Sequence, residues 1–435
     1  MSRPVHVEQI DVSNDTITKL NIKLKQYDFK ETKYSILNAD KDFLCITDTL
    51  RRNYNTVIFN PETKRILNIG NPISTPHELF DSLYEDICVT ELIEGSIVYL
   101  FYDARIENWQ MSTANAIGGN YSYFRNNHCN HNHNNHNNHN NHNNHNKNND
   151  DETNDSEPNH TFLSMVMDAF REPESTQTGL SITDLPFLND FDKRFCYGFV
   201  LQHPHNEMVS RIESPKMYLV SVCELHYDGK ENSIRYVSRI EYETFPFLSD
   251  HKDSLIYFPK LYSSHSSLGE YKKIFDDLQT AKETMGISIS NVVTGERCEV
   301  MNPNYKEAKE IRGNNFNLQF HYLCLLKLGK VNQFLRYFPH YREIFFNFKE
   351  QLSRFITNLH QTYFKNFVAK TIKGQIHKKY YYHISQIHKT IYIPSVVRGE
   401  KMKIKRSVVA SYVESMEPGQ ILHMINFEKN YKEEQ

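Results

Sequence analysis

The stretch that most constrains the fold runs from Ile87 to Phe124 and carries the densest strand signal in the chain. Between Ile97 and Tyr102, apolar and aromatic residues occupy both faces of an extended segment, which is typical of a strand buried on both sides. A polar connection follows, and Trp109 to Thr113 then has the pattern of a returning strand. The stretch therefore predicts a buried hairpin that opens at Glu94-Gly95-Ser96 and closes at Thr113-Ala114-Asn115.

Length, charge and cysteine content limit the class of protein. The chain has 435 residues and a formal net charge of −3, so two domains are feasible and no global attraction to nucleic acid or anionic membrane is expected. Its seven cysteines include no Cys-x-x-Cys pair, which favours buried thiols in a reducing compartment over disulfides or a zinc site. No segment resembles a signal peptide or reaches the roughly 20 apolar residues of a membrane span. We therefore expect an intracellular, cytoplasmic protein without membrane contact.

Further hairpin and helix patterns predict an α+β fold class with antiparallel sheets, followed by an all-helical C-terminal domain. Paired strands are predicted at Asn55 to Phe59 with Arg65 to Ile69, at Cys196 to His203 with Met217 to Leu225, and at Gly286 to Val293 with Arg297 to Met301. Helical spacing is present at His77 to Asp86, Ile17 to Leu24, Thr161 to Phe170, Ser264 to Lys282 and Arg342 to Phe367. We predict an N-terminal extension at 1–34, an α+β domain at 35–305 and a helical domain at 306–435.

The segment from Asn126 to Asp151 is a low-complexity tract in which histidine recurs every third residue between asparagine pairs. Repeated imidazoles could bind zinc or nickel, although nothing in the sequence pre-organises their backbone. A solvated loop insertion is the other interpretation, since such composition cannot bury a core. We predict a disordered Asn/His-rich insertion at 126–160 and leave metal binding by it open.

The hairpin signatures resemble those of covalent nucleotidyltransferases, in particular phage-type RNA ligases. Glu94-Gly95-Ser96 resembles the end of the family's Lys-x-Asp-Gly-Ser signature, and Thr113 the start of its Thr-Arg-Gly signature. The most specific match is to the family pattern Phe-x-Phe-Glu-x-x-x-Pro-x-Asn-Arg-Ile-Val followed by Leu-Tyr-Leu. It lies on Phe199, Pro204, Asn206, Val209, Tyr218 and Leu219. The matches follow family order over about residues 50 to 305, and they imply a ligase-like domain with antiparallel sheets around a cleft.

At the positions that carry the family's chemistry, this chain has other residues. The AMP-accepting lysine falls on Leu92, the arginine on Ala114 and the ribose-contacting glutamate on Val200, while a second glutamate falls on Met285 and two lysines on Glu299 and Met301. Adenylylation needs an unprotonated amine, cations for the transition state and a carboxylate for the metal. We therefore predict an inactive RNA-ligase-like protein with no cofactor, in which Glu94, Ser96 and Thr113 remain as cleft candidates and no metal ligand is assigned. The alternative is an active ligase that uses ATP, Mg²⁺ and a displaced lysine.

The retained role predicted from the sequence is binding of RNA or of a protein partner. Between Arg354 and Arg406 the chain is rich in lysine and has a single acid, Glu400, and tyrosines are interleaved. Such a segment can follow a phosphate backbone, or it can be a solvated helix face whose tyrosines belong to the core. The candidate RNA-binding residues are Lys378, Lys379, Lys401, Lys403, Lys405 and Arg406. A protein-interaction scaffold remains an alternative, and the resemblance implies a source among large DNA viruses of eukaryotes, hence host cytoplasm or virion.

Overall fold

The computed structural model of the chain describes residues 8–29, 31–40, 42, 44–45, 48–76, 86–121, 161–170, 181–263, 284–293, 295–313, 317–371 and 376–428. Two compact units are formed by Met1–Lys309 and by Glu310–Gln435, so the division falls close to the predicted boundary at 305/306. The helix predicted at 77–86 lies outside the described residues except for Asp86. The helix predicted at 264–282 and the Asn/His-rich insertion at 126–160 lie entirely outside them.

The strands all belong to the first unit and pair antiparallel. In chain order they are β1 (Glu8–Gln9), β2 (Lys23–Phe29), β3 (Thr32–Asn38), β4 (Val57–Phe59), β5 (Ile66–Asn68), β6 (Ile87–Leu92), β7 (Ser96–Asp103), β8 (Asn108–Thr113), β9 (Phe195–Gln202), β10 (Lys216–Tyr227), β11 (Asn232–Val237), β12 (Leu261–Tyr262), β13 (Gly286–Asn291) and β14 (Arg297–Met301). The main sheet has the order β1-β11-β10-β9-β7-β8, and two four-stranded sheets have the orders β12-β6-β13-β14 and β2-β3-β4-β5.

Helices dominate the second unit. The α-helices of the described residues in both units are, in chain order, α1 (Asn14–Lys19), α2 (Thr49–Arg52), α3 (Phe162–Phe170), α4 (Arg239–Tyr242), α5 (Pro246–Ser249), α6 (Pro303–Arg312), α7 (Leu318–Lys327), α8 (Val331–Tyr337), α9 (Arg342–Tyr363), α10 (Lys378–Ile387), α11 (Ile393–Val397), α12 (Arg406–Glu414) and α13 (Pro418–Ile425). The predicted α+β class with antiparallel sheets and a helical C-terminal region is confirmed. Within the described residues, no helix combines the length and apolar character that crossing a bilayer requires.

The two buried faces predicted for the central strand have different partners. Val98 and Leu100 of β7 pack with α3 in one core cluster, whereas Phe101 packs with the β2–β5 sheet in another. Because successive side chains of a strand point to opposite faces, β7 needs apolar residues at every position from 98 to 101. This is why the segment shows no polar alternation, and the β7–β8 hairpin has the predicted position, with Val98 paired to Thr113.

Residues before Thr32, which the sequence analysis placed in an extension, contribute elements to the first unit. Strand β1 pairs with β11, and β2 pairs with β3 along its whole length. The Ser13 hydroxyl accepts from the Thr16 N–H (3.3 Å) and thereby caps α1. The predicted helix at 17–24 lies partly on β2, whose side chains are mostly exposed and therefore show no clear alternation in the sequence.

The long predicted helix is α9, which is followed by a π-helical turn at Phe364–Val368. Its buried stripe repeats at spacings of three and four residues, as an amphipathic helix requires. The stripe consists of Phe345, Leu352, Phe355, Ile356, Leu359 and Tyr363. A second π-helical turn, His388–Tyr392, follows α10, and the rings of Phe367 and His388 stack at 3.9 Å between the two turns.

Candidate functional site

A cavity of about 290 Å³ lies between the main sheet and the β12-β6-β13-β14 sheet of the first unit. The main sheet contributes Tyr99 from β7, Val200 from β9 and Ser221 from β10, among others. The facing sheet contributes Leu92 from β6 and Ser288 from β13. A cleft between antiparallel sheets is the arrangement that the resemblance to RNA ligases implies.

Four of the six positions at which the family's functional residues are replaced line this cavity. They are Leu92, Ala114, Val200 and Glu299, which come from four separate segments of the chain. The other two, Met285 and Met301, flank the β13–β14 hairpin and are absent from the lining. The structure thus gathers most of the positions that the sequence comparison aligned, while their functional assignments stay predictions.

Two arginines that the sequence analysis missed also line the cavity, and each is held by a carboxylate. Arg297 donates from Nη2 to Ser288 Oγ (2.9 Å) and lies 3.4 Å from Glu299 Oε1. Arg239 pairs with Glu243 (2.5 Å), and its guanidinium lies 4.5 Å from the ring centroid of Phe258. Neither arginine lies at a position that the family resemblance singles out. Each guanidinium thus faces a carboxylate, while its buried Nε has no hydrogen-bond partner among the described residues.

The remaining carboxyl group among the described residues of the lining belongs to Glu91. Burial raises the pKa of its carboxyl, against the lowering effect of a backbone hydrogen bond and the charge of Lys260. The shift favours the neutral form, which is a weaker metal ligand and a weaker partner for a cation. No lysine occurs among the described residues that line the cavity. In the same part of the chain, no cluster of three or more His, Cys, Asp or Glu side chains is placed to hold a metal ion.

Glu94 follows the cavity-lining residues Leu92 and Ile93 in the sequence, but it does not line the cavity itself. Its side chain points into a loop instead. Its carboxylate accepts hydrogen bonds from the backbone N–H groups of Met208 (3.2 Å), Val209 (2.6 Å) and Ser210 (3.0 Å). The residue is only 3% exposed, and the hydroxyl of Tyr305 lies beside it. Glu94 therefore anchors the loop after β9, which carries part of the most specific family match.

The other two cleft candidates also make contacts outside the cavity lining. Ser96 Oγ accepts from Asn206 Nδ2 (2.7 Å), so both Ser96 and Glu94 hold the same loop. The Thr113 hydroxyl is 2.5 Å from that of Tyr121. These contacts give Glu94, Ser96 and Thr113 a structural role. Their role as cleft residues stays a prediction.

Gly95 is required by a close approach between its backbone and β9. Its φ is +151°, and a Cβ atom there would lie 2.4 Å from Leu201 O and 2.6 Å from a methyl of Val200. We expect Gly95→Ala to destabilise the first unit by about 2 kcal/mol or more, because both the backbone strain and the clash must be relieved.

Chemical unfolding followed by the fluorescence of Trp109 measures this effect, since the chain has a single tryptophan and it is buried in the first unit. Gly229→Ala is the matched control, because its φ is +98° but no atom lies within 4 Å of an added Cβ. Equal destabilisation by the two variants would show that the approach of β9 is not what demands glycine at position 95.

In the helical unit, the six RNA-binding candidates differ in their surroundings. Lys379 is largely buried, with Nζ over the rings of Phe355 (5.8 Å) and Tyr380 (5.9 Å). Arg406 donates to Ser353 Oγ (2.8 Å) and Thr357 Oγ1 (3.0 Å) on α9. Lys401, Lys403 and Lys405 are exposed in the segment before α12, and Lys378 is the first residue of α10.

Comparisons with known proteins give a weak structural likeness. No family model matches the chain, and no curated protein matches it. The chain is similar to a solved structure described as an archaeal ATP-dependent RNA ligase, form 1, with a TM-score of 0.39 and 10% identity over 75% of this chain and 67% of that one. It is also similar to a putative ATP-dependent DNA ligase from Aquifex aeolicus, with a TM-score of 0.37 and 11% identity over 82% of this chain and 87% of that one. Likeness at this level bears on neither activity nor substrate.

Proposed function

We propose that this chain is a divergent RNA-ligase-like protein that does not adenylylate itself and that serves to bind RNA through its helical unit. The observation that carries the first half is the cavity lining. Leu92, Ala114 and Val200 meet there, at the positions where phage-type RNA ligases have the nucleophilic lysine, an arginine and the ribose-contacting glutamate. The cavity lies between two sheets, as in the family resemblance, but its lining lacks the family's reactive groups. Such a cavity is suited to binding and not to nucleotide transfer.

The residues present do not fit a nucleotide-transfer centre. Leucine offers no lone pair to attack the α-phosphate of ATP, so the phosphoramide bond of a covalent intermediate cannot form at position 92. Arg239 and Arg297 are paired with Glu243 and Glu299, which leaves little positive charge to stabilise a developing oxyanion. Magnesium would need ionised oxygen ligands, whereas burial raises the pKa of Glu91.

The second half of the proposal is supported by the surface of the helical unit. Lys401, Lys403 and Lys405 are exposed within six residues of one another, and the neighbouring Glu400 pairs with Arg398 (3.2 Å). An exposed row of lysines whose neighbouring acid is paired with an arginine is complementary in charge to a phosphate backbone. The described cysteines all carry free thiols, which is in keeping with a reducing, intracellular setting. The viral origin implied by the family resemblance stays a prediction.

Self-adenylylation is tested by incubating the protein with α-labelled ATP, and separately GTP, with Mg²⁺ or Mn²⁺, followed by denaturing electrophoresis and intact mass measurement. We expect no covalent nucleotide, because no lysine is found among the described residues that line the cavity. A mass increase of one nucleotide monophosphate that survives denaturation would contradict this proposal and favour the active-ligase alternative.

If such an adduct appeared, Lys260 would be the first lysine to examine. Its carbonyl accepts from the Glu91 N–H (2.8 Å), and it follows Pro259, which lines the cavity. Lys260→Ala should then abolish labelling. Lys216→Ala is the control, because Lys216 likewise lies over a tyrosine ring but neither of its chain neighbours lines the cavity, whereas Pro259 beside Lys260 does. Labelling that survives Lys260→Ala would place the displaced nucleophile elsewhere.

A further inference from the structure

The helical unit contains an open groove of about 570 Å³ whose walls are aromatic and polar but uncharged in composition. It is formed by side chains of α10, the π-helical turn after it, α12 and α13, and we call it the α10–α13 groove. Two tyrosines, two histidines, two glutamines, two methionines and a threonine line it, together with a glycine. None of the described residues in this lining is Asp, Glu, Lys or Arg.

The histidine on α10 is fixed in a neutral, hydrogen-bonded state. Nδ1 of His383 lies 3.1 Å from the Tyr412 hydroxyl, and burial lowers the pKa of this imidazole. His383 is therefore uncharged at neutral pH, and the pair presents a ring edge and a hydroxyl to the groove. Beside it, Tyr382 is 60% exposed and its ring stands perpendicular to that of His383, with centroids 5.2 Å apart.

We propose that the α10–α13 groove binds unstacked nucleobases of single-stranded RNA, a proposal that rests on RNA binding by the helical unit. The exposed ring of Tyr382 offers a face on which a base can stack. The side-chain amides of Gln386 and Gln420 carry both donors and acceptors, as the edges of bases require. Among the described residues, the lining has no Lys or Arg to pair with an acidic peptide, and such a lining suits a neutral base.

Cations for the sugar-phosphate backbone lie outside the groove lining. Lys389 is exposed and directly precedes Thr390, which lines the groove. The exposed lysines of residues 401–405 belong to the same unit. The helical unit therefore separates two tasks, with base contacts in the neutral groove and phosphate contacts on lysines outside it, as single-strand binding sites commonly do.

Two adjacent tyrosines on α10 provide a matched test. Tyr381 and Tyr382 are 64% and 60% exposed, but only Tyr382 lines the groove. With the full-length protein and a fluorescent single-stranded oligoribonucleotide, we expect Tyr382→Ala to weaken binding about 5- to 100-fold, the effect of losing one stacked base. Tyr381→Ala should bind like the unmodified protein. The salt dependence of affinity should be the same for both variants, because no charge changes.

Replacing the RNA by an abasic ribose-phosphate chain of equal length should reproduce the loss and abolish the difference between the two variants. Gln386→Ala is a second groove variant, and far-ultraviolet circular dichroism establishes that each variant is folded. Equal affinity of Tyr382→Ala and Tyr381→Ala for RNA, with salt-dependent binding intact, would overturn the groove proposal and leave RNA binding by the unit standing. Absence of RNA binding by the unmodified protein at low salt would overturn both, and would favour a protein ligand.

Discussion

Glu94→Ala is expected to lower the free energy of unfolding of the first unit by about 3 kcal/mol or more, the largest stability effect that we predict. Its carboxylate accepts from three successive backbone N–H groups at 208–210. Alanine would remove the acceptor that these donors share, and an unsatisfied buried donor costs about 1–3 kcal/mol. Val209 is buried, whereas Met208 and Ser210 are partly exposed. Water that enters the space left by the carboxylate would hydrogen-bond to some of these N–H groups. The summed cost of three unsatisfied donors is therefore an upper bound on the loss of stability.

The measurement is urea unfolding followed by the fluorescence of Trp109, which is 4% exposed in the core of the first unit. Glu91→Ala is the control. This half-buried glutamate on β6 accepts one backbone hydrogen bond, from Lys260, where Glu94 accepts three. We expect it to cost about 1 kcal/mol. If both variants lost the same stability, the three-amide contact would not be what fixes Glu94.

The outcome also bears on the interpretation of the Glu-Gly-Ser signature. Gly95 is fixed by its approach to β9, Ser96 by Asn206, and Glu94 by the loop after β9. These structural demands are enough to keep the three residues without any catalytic contribution. Structural demands alone can therefore retain a Glu-Gly-Ser signature.

The secondary-structure elements that could be predicted most accurately are those with a dense local repeat of apolar residues. The β7–β8 hairpin and α9 have dense apolar repeats, and both elements occur where those repeats are. Strand β2 was missed, because most of its side chains are exposed and no alternation reveals it. The four-residue helix α4, which presents Arg239 to the cavity, is too short to produce a helical repeat.

Long-range contacts explain what the sequence could not reveal about the site. The partners of Glu94 lie 114 to 116 residues further along the chain, and no local rule links a glutamate to amides at that distance. The pairing of Arg297 with Glu299 could have been suspected from alternation along β14, since residues two apart share a face. Alignment to a family pattern was the one sequence signal that related Leu92 to Val200. In the structure, both residues line the same cavity.

Reversing the charge of Lys401, Lys403 and Lys405 to glutamate is expected to reduce affinity for single-stranded RNA about a hundredfold at roughly 0.1 M salt. The reason is the loss of three phosphate contacts, which should also reduce the slope of log affinity against log salt by about 2. Arg406 is left unchanged in this variant. It donates to Ser353 and Thr357 on α9, so its replacement would disturb the packing of α12 as well as the charge.

The control for this variant reverses Lys330, Arg336 and Lys349, which are exposed in the same unit outside the basic segment. It changes the net charge of the protein by the same amount, so any loss that comes from overall repulsion of RNA appears equally in both triple variants. Affinity is measured by fluorescence anisotropy over a series of salt concentrations. A specific phosphate track predicts a steep loss for the 401–405 variant and a small one for the control. Equal losses, or unchanged binding after reversal at 401–405, would remove the basic segment from RNA recognition and make a protein-interaction scaffold the better account of the helical unit.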